Sequence, residues 1–309
     1  MKVSLDWLRE HVDIDQPVED VAHRLTMCGL NCEAIEVHGD DHVFELEVTS
    51  NRPDHLGHRG VARELACLLD QPLKPLKTDY SEVDKDSTGK GLSEITSIEV
   101  DDDDRCGRYT ARVALDVDVS ESPQWLRKRL ESIGLRSINL VVDLTNYVLM
   151  DLGQPLHAFD LDRLDGEELI IRRARYGEDF AAMDGTHHTL DTEDLVIADA
   201  SRAVALAGVM GGVETGVGST TRRILLESAW FDPVPVRSTS RRLGLASDSS
   251  YRFERRVDID AADIASRRFF HLLCQETDCK VLSGCWEAMR DGLLDPPAEV
   301  PIRLDRTEL

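Results

Sequence analysis

One acidic side chain stands where a purely structural sequence would place an apolar one. Glu227 directly follows the aliphatic run Ile224–Leu226 in a segment that predicts a strand. A carboxyl group buried among apolar side chains costs free energy unless it is paired, so this placement favours a functional site. The alternative is that Glu227 lies at a strand end, where it faces water or pairs with an arginine.

Metal chemistry has weaker support. His55 and His58 are three residues apart on a predicted helix, and Cys274, Cys279 and Cys285 are spaced five and six positions apart. Neither set has the paired short spacing of a zinc site, and packing explains both equally well. We therefore predict no metal site.

Other common catalytic arrangements are missing from the sequence. It contains no Gly-x-Ser-x-Gly elbow, no cysteine in a recognisable catalytic string and no phosphate-binding glycine loop. The sequence therefore shows no recognisable covalent nucleophile and no loop of this kind for binding a nucleotide phosphate.

Charge and composition limit the class of protein. The 309 residues include 36 Lys and Arg against 59 Asp and Glu, a net charge of −23 that disfavours nucleic-acid binding by the whole surface. Roughly ten arginines lie between Arg222 and Arg268, and this local basic face could still contact RNA. No apolar run reaches the ~20 residues of a membrane helix. Seven cysteines without framework spacing indicate a reducing compartment, so we expect a cytoplasmic protein.

The elements that would position these residues form an α+β, multidomain chain. Residues 1–76 predict a small domain with helices around Leu5–Val12, Val18–Leu25 and Val61–Leu68, and a strand at 43–48. Residues 77–104 are acidic and predict a linker with one strand at 95–100. Residues 105–290 predict a larger domain, and 298–309 the start of another.

Within the larger domain, Ser122 and Pro123 predict a helix start, and residues 260–273 predict its closing helix. Four short apolar runs between turn signals predict strands at 169–171, 195–198, 204–207 and 224–226.

Nine ordered motifs resemble the β subunit of bacterial phenylalanyl-tRNA synthetases. They are Met1–Leu8, Leu25–Leu30, Thr49–Asp54, Arg108–Arg112, Ser122–Leu126, Asn139–Val148, Gly153–Asp160, Ala205–Gly212 and Tyr251–Arg255. Long collinear strings of this kind are far more specific than any short motif. The resemblance implies that 1–76 is the family's first domain and 105–290 its B3/B4 editing domain.

The sequence departs from that family in three places. The oligonucleotide-binding (OB) fold that bacterial relatives insert after Leu30 is absent, and the family's C-terminal catalytic-like half lies beyond Leu309. Arg256 stands where the family usually has glycine, and Ser247 and Ser249 replace its usual threonine and alanine. These two serines are predicted to narrow or rehydrate the pocket.

The resemblance implies hydrolysis of tyrosine mischarged onto tRNA(Phe). Glu227 matches the glutamate that recognises the phenol, and His157 matches a pocket histidine that would polarise or position water. Gly208 matches a wall glycine that lets the ester carbonyl approach main-chain N–H groups, although turn geometry alone explains a glycine there. The remaining substrate-binding candidates are Thr145, Asn146, Ala207, Ser247 and Ser249.

The resemblance also implies partners and leaves alternatives open. We expect an α2β2 assembly with the synthetase α subunit, tRNA(Phe) as ligand and no membrane. No cofactor is expected in this portion, with ATP and Mg²⁺ used by the holoenzyme. The alternatives are a non-catalytic scaffold that binds tRNA or the α subunit, and a free-standing trans-editing deacylase.

Overall fold

A computed structural model describes residues 1–293 as a mixed α+β protein, as predicted. The predicted further domain at 298–309 lies outside the described residues. Within them, no helix is both long enough and apolar enough to cross a membrane.

The N-terminal residues form a three-stranded antiparallel sheet covered by helices. Its elements are β1 (Lys2–Ser4), α1 (Leu5–His11), α2 (Val18–Met27), β2 (Asn31–His38), β3 (Asp41–Glu47), a 3-10 turn (Pro53–Leu56) and α3 (His58–Leu68). The strand order is β1-β3-β2. Ser4 begins α1 by accepting a hydrogen bond from the N–H of Trp7, which satisfies one of the free donors of the first turn. Only the β2–β3 hairpin lies where the OB fold would be inserted.

The acidic segment 77–104 is incorporated into the larger unit. It contains β4 (Glu82–Val83), α4 (Leu92–Ile95) and β5 (Ser97–Val100). The strands β4 and β5 pair in parallel with two strands from far along the chain, at Lys280–Leu282 and Glu168–Arg173. The expected linker therefore contributes an edge strand to each of two sheets, one more strand than the sequence predicts.

The remaining residues build two larger sheets, a separate two-stranded sheet and several helices. The strands are β6 (Cys106–Leu115), β7 (Leu156–Asp160), β8 (Glu168–Arg173), β9 (Asp179–Ala181), β10 (His187–Thr189), β11 (Leu195–Ala198), β12 (Ala203–Leu206), β13 (Met210–Gly211), β14 (Ile224–Phe231), β15 (Lys280–Leu282) and β16 (Trp286–Met289). The two-stranded sheet consists of β9 and β10. The helices are α5 (Gln124–Ser132), α6 (Leu140–Leu152), α7 (Pro233–Leu243), α8 (Asp248–Phe253) and α9 (Ala261–Glu276).

These elements stack in three layers. The order of one sheet is β4-β15-β6-β14-β7, with β16 also paired to β6, and that of the other is β13-β12-β11-β8-β5. One apolar core contains residues of both sheets, so the sheets pack face to face. A second core joins the opposite face of β6, β14 and β7 to α5, α6 and α9. Side chains that alternate along β14 and β7 therefore enter two different cores.

The start of α5 differs from the prediction. Pro123 is the capping residue without a side-chain cap, and the helix begins at Gln124. The Ser122 hydroxyl is turned away to donate a 2.5 Å hydrogen bond to the carboxylate of Asp143 on α6. Ser122 thus joins two helices instead of capping one.

The N-terminal unit packs directly on the helical layer. Trp7 of α1 is fully buried and stacks between the rings of His58 and Tyr147, with centroids 4.0 and 4.4 Å away. His58 belongs to α3 and Tyr147 to α6, so this stack joins the two units through one indole.

Candidate functional site

Strand register brings Glu227 and His157 together. The two residues are direct partners in the antiparallel pairing of β14 with β7. Their neighbours Leu226 and Ala158 enter the helix-side core, so Glu227 and His157 point toward the five-stranded sheet. Directly opposed residues have Cβ atoms about 5 Å apart, which allows both side chains to reach one ligand.

The Glu227 carboxyl group is enclosed in the protein. It lies in the middle of β14 with 6% of its surface exposed, and its Oε2 accepts a 3.2 Å hydrogen bond from the Tyr109 hydroxyl. Burial raises the pKa of Glu227 to about 8, although the bond from Tyr109 acts in the opposite direction. The group is therefore mainly protonated at neutral pH. It lies inside the strand and pairs with no arginine of residues 1–293, so the alternative placement is wrong for the described structure.

His157 is held neutral beside it. Burial lowers the pKa of His157 to about 4, and its Nε2 is buried without a hydrogen-bond partner among the described residues. A Cβ at Gly211 would lie 2.4 Å from the imidazole Cε1, so this position must be glycine for the ring to fit. An unpartnered nitrogen in a polar site is ready to bind water or a ligand donor.

The two side chains line one small cavity. Its volume is about 50 Å³, and its walls are Pro155, Leu156, His157, Ile197, Ala205, Leu206, Gly208, Val209, Met210, Gly211, Glu227, Ser249 and Phe253. A cavity that holds a benzene ring has a volume of about 150 Å³. This cavity must therefore open further before an aromatic side chain can enter.

The predicted site residues divide into two groups. His157, Gly208, Glu227 and Ser249 line the cavity, whereas Thr145, Asn146, Ala207 and Ser247 are not part of its lining in the described structure.

Each residue of the second group has a local reason for its position. Thr145 and Asn146 belong to α6, in the helical layer behind the sheet, and the Thr145 hydroxyl donates to the carbonyl of Val142. Ala207 is buried in the core between the sheets. Ser247 caps α8, accepting from the N–H of Ser250, and its hydroxyl donates to the Val209 carbonyl.

Gly208 shapes the wall between the cavity and α7. Its φ of +70° is left-handed, and a Cβ there would lie 3.0–3.1 Å from Val236, Phe231 and Phe253. Both the backbone conformation and the crowding favour glycine at this position. The N–H of Gly208 has no hydrogen-bond partner within the described part of the chain.

Sequence reasoning missed most of the residues around this site, and three of them affect its chemistry or shape directly. Tyr109 supplies the hydrogen bond to Glu227, Met210 lines the cavity and Gly211 accommodates His157. All three lie inside motifs that carry the family resemblance. The alternation of Tyr109, Ala111 and Val113 could have predicted a strand that presents the tyrosine to the same core.

The weak metal candidates have other structural roles. His58 uses both ring nitrogens, with Nδ1 bonded to the Met150 carbonyl and Nε2 accepting from the N–H of Ser4. Asp54, His55 and Glu64 do lie close together. However, the guanidinium of Arg52 hydrogen-bonds with both carboxylates and approaches the imidazole, so a cation already occupies this cluster.

The three cysteines also make contacts that differ from those of a metal site. Cys274 and Cys279 have Sγ atoms 3.8 Å apart, close enough for a weak hydrogen bond. Cys285 instead directs its thiol to the carbonyl of Trp286.

These observations define the class: an α+β protein with a small cavity that pairs a neutral carboxylic acid with a neutral imidazole. The model of the B3/4 domain family matches residues 105–277, which is more than half of the chain. The protein therefore belongs to that family.

Similarity extends beyond this domain. The chain is 42% identical over 303 residues to the phenylalanine--tRNA ligase beta subunit of Rhodopirellula baltica, covering 98% of this chain and 43% of that protein. The corresponding subunit of Anaeromyxobacter dehalogenans is 44% identical over 274 residues, covering 89% and 33%. The resemblance predicted from the motifs is confirmed, and the chain spans less than half the length of these relatives.

A solved N-terminal fragment of the phenylalanyl-tRNA synthetase beta subunit from Pyrococcus horikoshii is also similar. Its TM-score is 0.43 at 13% identity, with 91% of this chain and 74% of that chain covered.

Proposed function

We propose that this chain acts within a phenylalanine–tRNA ligase β subunit and that its cavity hydrolyses tyrosine esterified to tRNA(Phe). The observation that carries the proposal is the buried carboxylic acid of Glu227 opposite the unpartnered imidazole of His157 in one cavity. The carboxyl group of Glu227 would bind the phenol hydroxyl, and the imidazole of His157 would bind a water molecule.

Recognition of the phenol rests on Glu227. Tyr109 already bonds one carboxyl oxygen, so the substrate hydroxyl would use the remaining oxygen or the acid proton. Phenylalanine would leave that group unpaired, at a cost of about 1–3 kcal/mol. A synthetic site shaped for phenylalanine discriminates against an added hydroxyl by a factor of only about 10². A second site that prefers the phenol would hydrolyse the tyrosine that is attached to tRNA(Phe) by mistake.

Hydrolysis rests on water held by His157. With a pKa of about 4, the imidazole is a weak general base at neutral pH but accepts a hydrogen bond from water readily. The free N–H of Gly208 would donate to the oxygen that becomes negative as water attacks the ester carbon. Positioning, assisted by the ribose hydroxyl of the tRNA, would supply most of the acceleration.

The remaining expectations belong to the same proposal. The chain would act with the synthetase α subunit in an α2β2 assembly, in the cytoplasm. This portion would need no cofactor, and the holoenzyme would use ATP and Mg²⁺ for aminoacylation.

The test is release of tyrosine from Tyr-tRNA(Phe) by the intact β subunit in its α2β2 complex. We expect wild type and the exposed-surface control Glu19→Gln to hydrolyse the ester. Glu227→Ala should lose at least about 5-fold in rate, since about 1–3 kcal/mol of recognition is removed. Full activity of Glu227→Ala would remove this residue from the mechanism.

A second candidate function is a scaffold that binds tRNA or the α subunit without hydrolysis. The cavity volume of about 50 Å³ favours it, because that space is about a third of what an aromatic ring occupies. Met210 has the flexible side chain that could move away from the cavity. If size is the barrier, wild type will be inactive and Met210→Ala will gain hydrolysis of Tyr-tRNA(Phe). An inactive Met210→Ala complex would support the scaffold.

A further inference from the structure

A groove on the outer side of α7 concentrates positive charge on a strongly acidic protein. Its volume is about 780 Å³, and it is lined by Arg237 and Arg241 of α7 and by Arg255 and Arg256 after α8. Among residues 1–293, Glu254 is the only carboxylate in this lining. The chain as a whole has a net charge of −23. A concave site with four guanidinium groups therefore attracts anions that the surrounding surface repels.

Three of these arginines are free to bind a ligand. Arg237, Arg241 and Arg256 are exposed and form no ion pair or side-chain hydrogen bond within residues 1–293. In contrast, Arg242 on the same helix pairs with the buried Asp194. Arg237 and Arg241 are four residues apart, so they repel each other on one helix face unless an anion lies between them.

The backbone at Arg256 supplies an independent observation. Its φ of +72° lies in the left-handed region, which favours glycine over any residue with a branched or long side chain. An arginine at this position is conformationally costly, yet it places a fourth guanidinium in the groove. The cost is consistent with a binding role, because strained residues persist mostly at functional sites.

The groove and the cavity lie on opposite sides of the same helices. Val236 of α7 contacts the Gly208 wall, and Phe253 at the end of α8 lines the cavity, only two residues before Arg255. A helix with its side chains is about 10–12 Å in diameter, so the two sites are about one helix apart. A bound chain that occupied both sites would have to span about this distance.

Phosphodiester backbone fits this groove best. Guanidinium groups bind phosphate oxygens in a bidentate geometry, and contacts to the backbone position a nucleic acid without reading its sequence. Arg255 also lies over the ring of Tyr251, with its Cζ 3.5 Å from the ring centroid, and so offers a planar surface on which a base can stack.

We propose that this arginine groove binds the phosphate backbone of RNA next to the 3′ end that enters the cavity. The choice of RNA as the anion rests on the proposed function. Binding, however, requires no hydrolysis, so the two proposals can be tested separately.

The test measures the affinity of deacylated tRNA(Phe) for the α2β2 complex at several salt concentrations. Arg237→Gln/Arg241→Gln should weaken binding at least 5-fold at 0.1 M salt and lower the salt-dependence slope by about 1–2, because two phosphate contacts are lost. The control Arg127→Gln/Lys128→Gln removes the same charge from the exposed face of α5 and should leave both quantities unchanged.

A second variant separates binding from folding. Arg256→Gly should weaken tRNA binding while raising or preserving the melting temperature, since glycine adopts the left-handed backbone freely. A structural role for Arg256 would instead lower the melting temperature.

Three results would overturn the groove proposal: unchanged binding by the double variant, an equal loss in the α5 control, or dissociation of the α subunit, which would make the groove a protein interface. Reduced tRNA binding by the groove variants, together with a wild-type complex that does not hydrolyse Tyr-tRNA(Phe), would support the groove and refute editing.

Discussion

Glu227 gives the fold a pH dependence that most carboxyl groups do not produce. Its pKa rises from an ordinary value of 4.5 to about 8 in the folded protein because it is buried. The folded state therefore binds more protons than the unfolded state between these two values, and its stability falls as the pH rises through that interval.

We predict that wild type loses stability relative to Glu227→Gln between pH 5 and pH 8. The amide has nearly the same shape and does not titrate, so the difference isolates the proton on Glu227. Thermal unfolding of both proteins at pH 5, 6.5 and 8 measures it. Melting curves that shift in parallel across this range would show that the carboxyl is solvated in solution.

At the scale of residues, sequence reasoning found the chemistry more readily than the contacts. Glu227 was conspicuous because its sequence neighbours are apolar, and this signal is local. Tyr109 was missed because its role depends on a strand pairing that joins residues 118 positions apart. The sequence alone gives no sign of this hydrogen bond, in which the Tyr109 hydroxyl donates to the Glu227 carboxyl group.

At the scale of elements, the turn at Gly208 connects the cavity to α7 and α8. Gly208 and Gly244 have nearly the same left-handed backbone, with φ of +70° and +69°. Only Gly208 is crowded, since a Cβ there would meet three apolar side chains, whereas a Cβ at Gly244 would have no atom within 4 Å. Substitution of the two glycines therefore separates the cost of the left-handed backbone from the cost of crowding.

We predict that Gly244→Ala costs about 1–2 kcal/mol in the free energy of unfolding through backbone conformation alone. Gly208→Ala should cost about 1–3 kcal/mol more, because the added methyl group overpacks the core. Urea unfolding of the two variants measures the difference. Equal losses would mean that the wall formed by Val236, Phe231 and Phe253 moves freely, and that the cavity can enlarge by the same movement.

The local periodicity of an element predicted its type better than its place in the fold. The strands at 195–198 and 224–226 and the closing helix were anticipated, and β14 and α9 extend further than expected. The segment 77–104 was interpreted as a linker because it is polar, yet β4 and β5 are completed by strands that lie far away in the sequence. Polar composition indicates exposure of side chains and says little about backbone pairing at a sheet edge.

At the scale of the whole molecule, a buried carboxylate joins the N-terminal unit to the larger one. Asp151 of α6 is fully buried and accepts hydrogen bonds from the Trp7 indole at 2.9 Å and the His11 imidazole at 2.5 Å. Arg268 of α9 lies 3.9 Å away on its other side. Burial alone would raise the pKa of Asp151, but the hydrogen bond and the charges of His11 and Arg268 hold it below the ordinary value of 3.8.

Glu10 bridges the same two units at the surface, so it provides a comparison. It accepts hydrogen bonds from Arg129 and from the Tyr147 hydroxyl, at 2.9 and 2.8 Å, and its side chain is 35% exposed. Exposed pairs contribute about 0–1 kcal/mol. Removal of one partner from a buried charged group costs about 3–5 kcal/mol, since the remaining polar groups are left without partners.

We predict that Asp151→Ala lowers the free energy of unfolding at pH 7 by about 3–5 kcal/mol and that Glu10→Ala lowers it by at most about 1 kcal/mol. Because the folded pKa of Asp151 is depressed, its contribution is present above pH 3.8 and is lost as the pH falls through the folded value. The difference between wild type and Asp151→Ala should therefore shrink in acid, as urea unfolding at pH 7 and pH 3 would measure. A small, pH-independent loss for Asp151→Ala would mean that apolar packing around Trp7, rather than this carboxylate, holds the two units together.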